Sequence, residues 1–363
     1  MVGLPDRRPA ASGHAITILR PAASDSRLRL NAQVAVAFLV SSILVGVGWS
    51  ALIGTAVAQT SSAVPMIRPI QVDRAFFAGF ARVADALIAV GERGLVARLV
   101  DSKTQWSTQR LPTNRNFTAV AAHSEGLVVA VGHSGMIFVS SDAGVNWSAV
   151  DPKIIETVNP RKEALLSVAI DSDRRVFVTG AFGIMLVSTD LGKSWRRLKP
   201  FGDDFEWHLY SLHQDPLSRS WWIAAEAGTL AESADGMIWK ELSPPYKGSF
   251  FGGLVTQMGA RIAFGMRGQI FRQSQRQGQW QNLPVPTTVA WMSGRVLKDG
   301  RVVLLGDQGM VAISADDGRT FSLQKLWDGS LTDLVEATDG SIWVSGVFGL
   351  KQFDQRFVPK GSS

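Results

Sequence analysis

Beyond residue 75 the chain alternates short apolar runs with polar or glycine-containing turns, and no stretch there sustains a helical periodicity. Residues 117–150 show the pattern. Phe117 to Ala122, Leu127 to Val131, Met136 to Ser140 and Trp147 to Val150 each read as a short strand, with turn residues between them. The same unit recurs along the chain, marked by a Gly-x-x-Gly turn between its second and third strands. The turns are Gly91-Glu92-Arg93-Gly94, Gly132-His133-Ser134-Gly135, Gly180-Ala181-Phe182-Gly183, Ala225-Glu226-Ala227-Gly228, Gly265-Met266-Arg267-Gly268, Gly306-Asp307-Gln308-Gly309 and Gly346-Val347-Phe348-Gly349. Their second glycines fall at 94, 135, 183, 228, 268, 309 and 349, so the steps are 41, 48, 45, 40, 41 and 40. An aromatic follows each of the first six after 11 or 12 residues: Trp106, Trp147, Trp195, Trp239, Trp280 and Phe321.

Between glycine and aromatic lies a Ser-x-Asp-x-Gly-x-x-aromatic motif. It is complete at Ser140, Asp142, Gly144, Trp147; at Ser188, Asp190, Gly192, Trp195; and at Ser314, Asp316, Gly318, Phe321. Ser233, Asp235, Gly236, Trp239 is one residue short, and Ser274 to Trp280 and Asp101 to Trp106 are degenerate. Such a motif locks a hairpin: Ser and Asp side chains bond the turn's own backbone, and glycine takes the left-handed position. Four strands repeating every forty or so residues are the signature of a propeller blade. The sequence therefore predicts an all-β fold, a seven-bladed β-propeller with four-stranded blades, over residues 76–359. The last repeat lacks the lock and ends at Phe357. Ile67 to Val72 is expected as an extended segment that pairs with this weak blade and closes the ring.

The locks resemble the Asp box, or bacterial neuraminidase repeat, and the whole unit resembles the photosystem II assembly and stability factor family, here as a non-photosynthetic bacterial relative. The most specific stretches are Glu226-Ala227-Gly228, Ser233 to Trp239, Pro245-Tyr246-Lys247-Gly248-Ser249-Phe250-Phe251-Gly252 and Phe264-Gly265-Met266-Arg267-Gly268. The resemblance implies a non-enzymatic propeller on the lumenal or periplasmic side that holds a membrane protein complex during assembly. The client is left open: a photosystem component or a transporter subunit at the outer face of the cytoplasmic membrane.

Residues 1–58 form a separate region. Arg7, Arg8, Arg20, Arg27 and Arg29 against Asp6 and Asp25 precede an uncharged run that lasts to Arg68, apolar over 34–58 and ending Ala56-Val57-Ala58. Two readings stand: a signal peptide cleaved after Ala58, or an uncleaved anchor, since 34–58 is long enough to span a bilayer. Both send the remainder outward, because the arginines lie on the N-terminal side. Residues 59–75 are then a linker, and 360–363 a tail. The net charge of +6 (37 basic, 31 acidic) contains +3 from the leader (5 minus 2), which leaves +3 (32 minus 29) from Gln59 onward. That is too little to argue for nucleic acid. The absence of cysteine excludes disulfides, thiolate metal sites, thiol nucleophiles and a lipoprotein anchor.

In a four-stranded blade the turns between strands two and three share a face with the links between blades, and the Asp-box hairpins occupy the other. The variable residues on the first face are the binding candidates, because loops on a rigid scaffold carry function. They are Arg93, Arg115, His133, Arg161, Lys162, Glu226, Tyr246, Lys247 and Arg267. Six of these are cationic and suggest an acidic partner segment, with Phe182, Phe250, Phe251 and Phe348 as apolar anchors; Glu92, Glu163, Asp203, Asp204, Glu226 and Asp307 share the ring and offset the charge. Asp boxes also occur in sialidases, so a glycosyl hydrolase or glycan-binding propeller is the alternative. That chemistry needs a Tyr–Glu nucleophile pair, for which only Tyr210 and Tyr246 exist, with Tyr210 and Glu226 the nearest match. No catalytic residue, metal site, small-molecule cofactor or nucleic-acid partner is expected: His123, His133, His208 and His213 lack a carboxylate cluster at ligand spacing. Of the twelve tryptophans, five are the repeated position and Trp49 lies in the leader. Trp207 falls nearest the loop face, and Trp221, Trp222, Trp291, Trp327 and Trp343 are expected between blades.

Overall fold

The computed structural model describes residues 70–274 and 278–360; the leader and most of the linker lie outside them. Seven antiparallel sheets follow one another along the chain, at residues 77–110, 117–149, 165–198, 211–242, 250–282, 291–325 and 331–353. We call these blades 1 to 7. Six have four strands in simple up-and-down order, and blade 7 has three. In blade 2 the strands run Phe117–Ala122, Val128–Gly132, Ile137–Ser140 and Ser148–Ala149, each within one or two residues of the periodicity.

The first strand of each blade lies innermost and the seven first strands surround a central channel. Blade 7 meets blade 1 directly, Phe80 N donating to Asp333 Oδ2 (2.9 Å) and Thr332 Oγ1 to Phe77 O (2.7 Å). The expected closing strand does not form over 70–72. That segment enters a turn and touches blade 7 through a bond from Leu350 N to Val72 O (2.8 Å). The missing fourth strand of blade 7 is partly replaced by the chain's return after the Asp354–Val358 hairpin, where Pro359 bridges Phe353 and Lys360 N donates to Gln352 O.

Between blades the packing is mostly aliphatic or aromatic, as burial of alternate strand faces requires. Trp221 and Trp222 are adjacent and both fully buried. Because neighbouring strand residues point to opposite faces, Trp221 packs on Phe177 of blade 3 (4.6 Å between rings) while Trp222 covers Gly253 of blade 5. A β-carbon at Gly253 would lie 2.3 Å from the Trp222 ring.

The Asp-box locks form as expected and also act between blades. In each box the buried serine hydroxyl donates to Asp Oδ1 and accepts from the glycine N–H. The donor bonds are 2.8, 2.8, 3.0 and 2.7 Å for Ser140, Ser188, Ser233 and Ser314. Gly144, Gly192, Gly236 and Gly318 have φ between 74° and 85°. Trp147, Trp195 and Trp239 donate their indole N–H to the carbonyl of that same glycine (3.0 Å each). Each box presses on the preceding blade: a β-carbon at Gly144 would lie 2.6 Å from Ile88 Cδ1, and one at Gly192 2.8 Å from Val139 Cγ2. An arginine of that preceding blade completes the contact, from Arg98 to Ala143 O, Arg175 to Asp235 O and Arg272 to Asp317 O.

One helix breaks the all-strand expectation. Pro152–Val158, between blades 2 and 3, is capped by Asp151 Oδ1 accepting from Lys153 N (2.9 Å), with proline at its first position. Among the described residues no helix is long and apolar enough to cross a membrane.

Candidate functional site on the loop face

The turn between strands two and three is a single 3₁₀ turn in blades 1 to 6. Blade 4 has Ala225 at the first position; in the other blades that position is glycine, and the residue before the inner strand comes close to it. A β-carbon at Gly91 would sit 2.0 Å from Phe76 O, and one at Gly180 2.2 Å from Ala164 O. The following N–H then bonds that same carbonyl, as in Glu92 N to Phe76 O and His133 N to Asn116 O (both 3.1 Å). The turns and the interblade links thus share one face. The second variable residue of each turn is left-handed without being glycine: Arg93, Ser134, Phe182, Ala227, Arg267 and Gln308 have φ between 49° and 60°. That conformation costs roughly 1–2 kcal/mol for an L-residue. The frame imposes it, and each blade displays one side chain at the apex.

The candidates fall into three groups. Arg93, Arg115, Lys247 and Arg267 are on the loop face with no ion pair recorded to a described residue. Arg161 and Lys162 approach Glu163 (3.9 Å) and Glu156 (3.2 Å), so part of their charge is already matched by the linker after the helix and by the helix itself. The remainder turn inward. The Tyr246 ring packs on Phe271 and Phe250 (5.8 and 6.1 Å). Burial lowers the His133 pKa, with the Arg115 charge adding to the effect. Glu226 folds its carboxylate under the link to blade 4, where Oε2 accepts from His208 N and lies 2.9 Å from His208 Nδ1. Of the apolar anchors, Phe250 and Phe251 are buried in blade 5, and Phe348 packs on Trp327 with ring centroids 3.6 Å apart. Only Phe182 is exposed, at 48%.

Among the described residues Trp207 is the other exposed aromatic, at 49%. Its backbone carbonyl accepts from Gly183 N (2.8 Å), which ties the blade 3 apex to the link before blade 4. The Phe182 ring lies 4.8 Å from that of His208, His208 5.8 Å from Tyr210, and Tyr210 stands edge-on to Phe251 at 5.1 Å. A line of rings therefore descends from the blade 3 apex toward the channel. The sequence named Phe182 and Phe251 as apolar anchors and Tyr210 as a nucleophile candidate, but gave no signal that His208 joins them into one line.

The channel encloses about 550 Å³, lined by small and polar residues of all seven inner strands. Arg295 bridges Asp333 within it (2.8 Å), and the Asp333 charge raises the Arg295 pKa. His213 faces the same space. Burial, with the Arg295 charge, lowers its pKa to about 4, and Ser211 Oγ bonds its Nε2. Tyr210 is pushed up to about 12 by burial and then by the Glu226 charge. A tyrosine nucleophile needs the opposite shift, and the Glu226 carboxylate is engaged with His208. Among the described residues no group of three His, Asp or Glu side chains converges as a metal site.

The sequence matches the family model described as photosynthesis system II assembly factor YCF48 over residues 99–346. No curated protein matches it. Among solved structures it is similar to YCF48 bound to D1 peptide, at TM-score 0.64 and 16% identity, covering 79% of this chain and 94% of that one. YCF48 from Cyanidioschyzon merolae gives 0.62 and 14%, covering 79% and 98%. A streptogramin B lyase gives 0.62 and 12%, covering 78% and 94%. At these identities the structural likeness speaks for the fold alone.

Proposed function

Because the chain belongs to the photosynthesis system II assembly factor YCF48 family, we propose that it is a non-catalytic propeller whose loop face binds a segment of a membrane protein and holds it during assembly. The observation that carries this reading is the apex frame. Six turns of identical geometry hold different side chains at one left-handed position, and two of these, Arg93 and Arg267, present cations without an ion pair to any described residue. A rigid face with variable display suits recognition of another chain. A family relative solved with a D1 peptide supports a protein segment as the ligand.

The proposal includes export. The basic, then apolar, first 58 residues would carry the propeller across the cytoplasmic membrane, by cleavage after Ala58 or with 34–58 retained as an anchor. The client is then a membrane complex, a transporter subunit among the choices, met on the outer side. No catalytic role is proposed, since Glu226 is engaged with His208 and the Tyr210 pKa is raised, not lowered.

Affinity capture from solubilised membranes tests the reading. A partner recovered with the unaltered chain is expected to be lost with Arg93→Glu and Arg267→Glu combined. Undiminished recovery with both reversals, and with Arg115→Glu and Lys247→Glu added, would remove the loop face as the binding surface.

A further inference from the structure

The loop face is not uniformly basic. At the Phe182 end the side chains on the link before blade 4 are acidic: Asp203, Asp204 and Glu206 are all exposed. Lys199 is bonded to Asp203, and Arg197 lies near enough to add to the pull on that carboxylate. No ion pair of Asp204 or Glu206 with a described residue is recorded. Two half-exposed aromatic residues therefore stand on joined loops, one of which also carries the exposed Asp204 and Glu206.

The placement is built into the backbone. Phe182 has φ 53°, the left-handed conformation that the frame imposes on all six apices, and this holds its ring out at the turn. The Gly183 to Trp207 bond keeps the two ring-bearing loops together. Glu226 accepts from the N–H of the next residue, His208, its Oε2 lying 2.9 Å from Nδ1 of that ring, and the His208 ring packs against Phe182 at 4.8 Å. Glu226 is thus a positioning residue for the aromatic surface. Exposed aromatic faces attract a guanidinium or ammonium through the ring quadrupole, and adjacent carboxylates add direct attraction. An acidic or purely aliphatic side chain would gain from only one of these features or from neither.

We infer that Phe182 and Trp207, rimmed by Asp204 and Glu206, form a docking site for a basic side chain, arginine or lysine, of the partner protein. This rests on the reading of the loop face as a protein-binding surface, and it gives that surface a polarity. The partner places a cation over blades 3 and 4 and its acidic groups toward Arg93 and Arg115, at blades 1 and 2.

The test uses the full chain in detergent micelles, labelled with 5-fluorotryptophan, with the Trp207 resonance assigned by its loss in Trp207→Phe. Four capped Gly/Ser peptides are titrated, each with one central residue: arginine, lysine, norleucine or glutamate. Arginine and lysine are expected to shift the Trp207 signal saturably, with glutamate silent and norleucine weaker. Phe182→Ala should weaken the arginine peptide about two- to fivefold. Asp204→Asn with Glu206→Gln should weaken it about twofold, and high salt should do the same. All these positions are exposed, so melting temperatures should stay within about 2 °C of the parent. Equal response to norleucine and arginine, or no effect of the two amide substitutions, would overturn the cation site. If the arginine peptide fails while capture of the membrane partner is still lost in Arg93→Glu with Arg267→Glu, the cation site is wrong and the binding face stands. Arginine binding with capture indifferent to every loop-face reversal would mean the converse.

Discussion

Replacing Asp333 should open the ring at its seam. Its carboxylate is buried and accepts from five donors: Phe80 N (2.9 Å), Ser293 Oγ (3.0 Å), Leu334 N (2.9 Å), and Arg295 Nε (3.2 Å) and Nη2 (2.8 Å). These come from blades 1, 6 and 7, so one side chain fastens three sheets. In Asp333→Ala the buried Phe80 N–H loses its acceptor, which costs about 1–3 kcal/mol. The Arg295 charge is left alone. A fully buried charge would cost about 3–5 kcal/mol, but nearly half of the Arg295 side chain is open to the channel, so about 1 kcal/mol is a fair share. The total is about 3 kcal/mol, or roughly 6 °C in melting temperature for a domain of this size. Asp333→Asn keeps one oxygen to accept from Phe80 N but puts an NH2 group where the other oxygen accepts from Ser293, Leu334 N and Arg295 Nε, so it should cost less than alanine, about 2 kcal/mol. Scanning calorimetry measures both, and amide exchange at Phe80 reports the seam directly, since local opening sets its rate. If the alanine variant loses less than about 1 kcal/mol, or the two variants melt together, the five-donor account is wrong.

Other perturbations address the frame, the boxes and the channel. Gly180→Ala drives a β-carbon to 2.2 Å from Ala164 O and should cost several kcal/mol, whereas Ala227→Gly relieves a φ of 54° and should be neutral or stabilise by about 0.5 kcal/mol; urea midpoints decide both. Burial raises the carboxyl pKa in the Asp boxes, but hydrogen bonds outweigh it and hold Asp142, Asp190 and Asp316 below the usual range. Their stabilisation is complete above about pH 4 and drains away as pH falls further. Asp142→Asn should therefore flatten stability against pH below pH 4 and leave its shape at pH 5–8 unchanged. His213 acts in a higher window. With its pKa lowered to about 4 from 6.5, the unfolded chain takes up the proton first as pH falls, so stability declines between about pH 6.5 and 4. His213→Gln should remove that decline, read as urea midpoints at pH 7 and 5.

The blades were legible because their signals are local. Ser140 to Trp147 carries serine, aspartate, glycine and aromatic within one hairpin, and the bonds they make are to that hairpin. What was missed is non-local or too short to have a period. The helix Pro152–Val158 spans seven residues and shows only its Asp-Pro start. Contacts of Gly144 with Ile88, and of Arg98 with Ala143, join separate repeats, and periodicity within one repeat does not report them. The left-handed apex is filled by Arg93, Phe182 and Gln308 where glycine would be the usual sign. At the loop face the sequence supplied the candidates without their orientation. Tyr246 and Glu226 share their loops with exposed residues yet turn inward, and Asp333 and Arg295 meet only when the ring closes.

The left-handed apex also separates what a blade displays from what it costs to display it. Once the frame has forced φ near 55°, the penalty falls on the backbone and is nearly the same for any unbranched side chain. Arginine, serine, phenylalanine, alanine and glutamine all occupy the position in this one chain. Selection can thus rewrite the six apices independently, as a lettered dial rewrites a combination without altering the lock. Valine, isoleucine and threonine are the characters that such a dial should exclude.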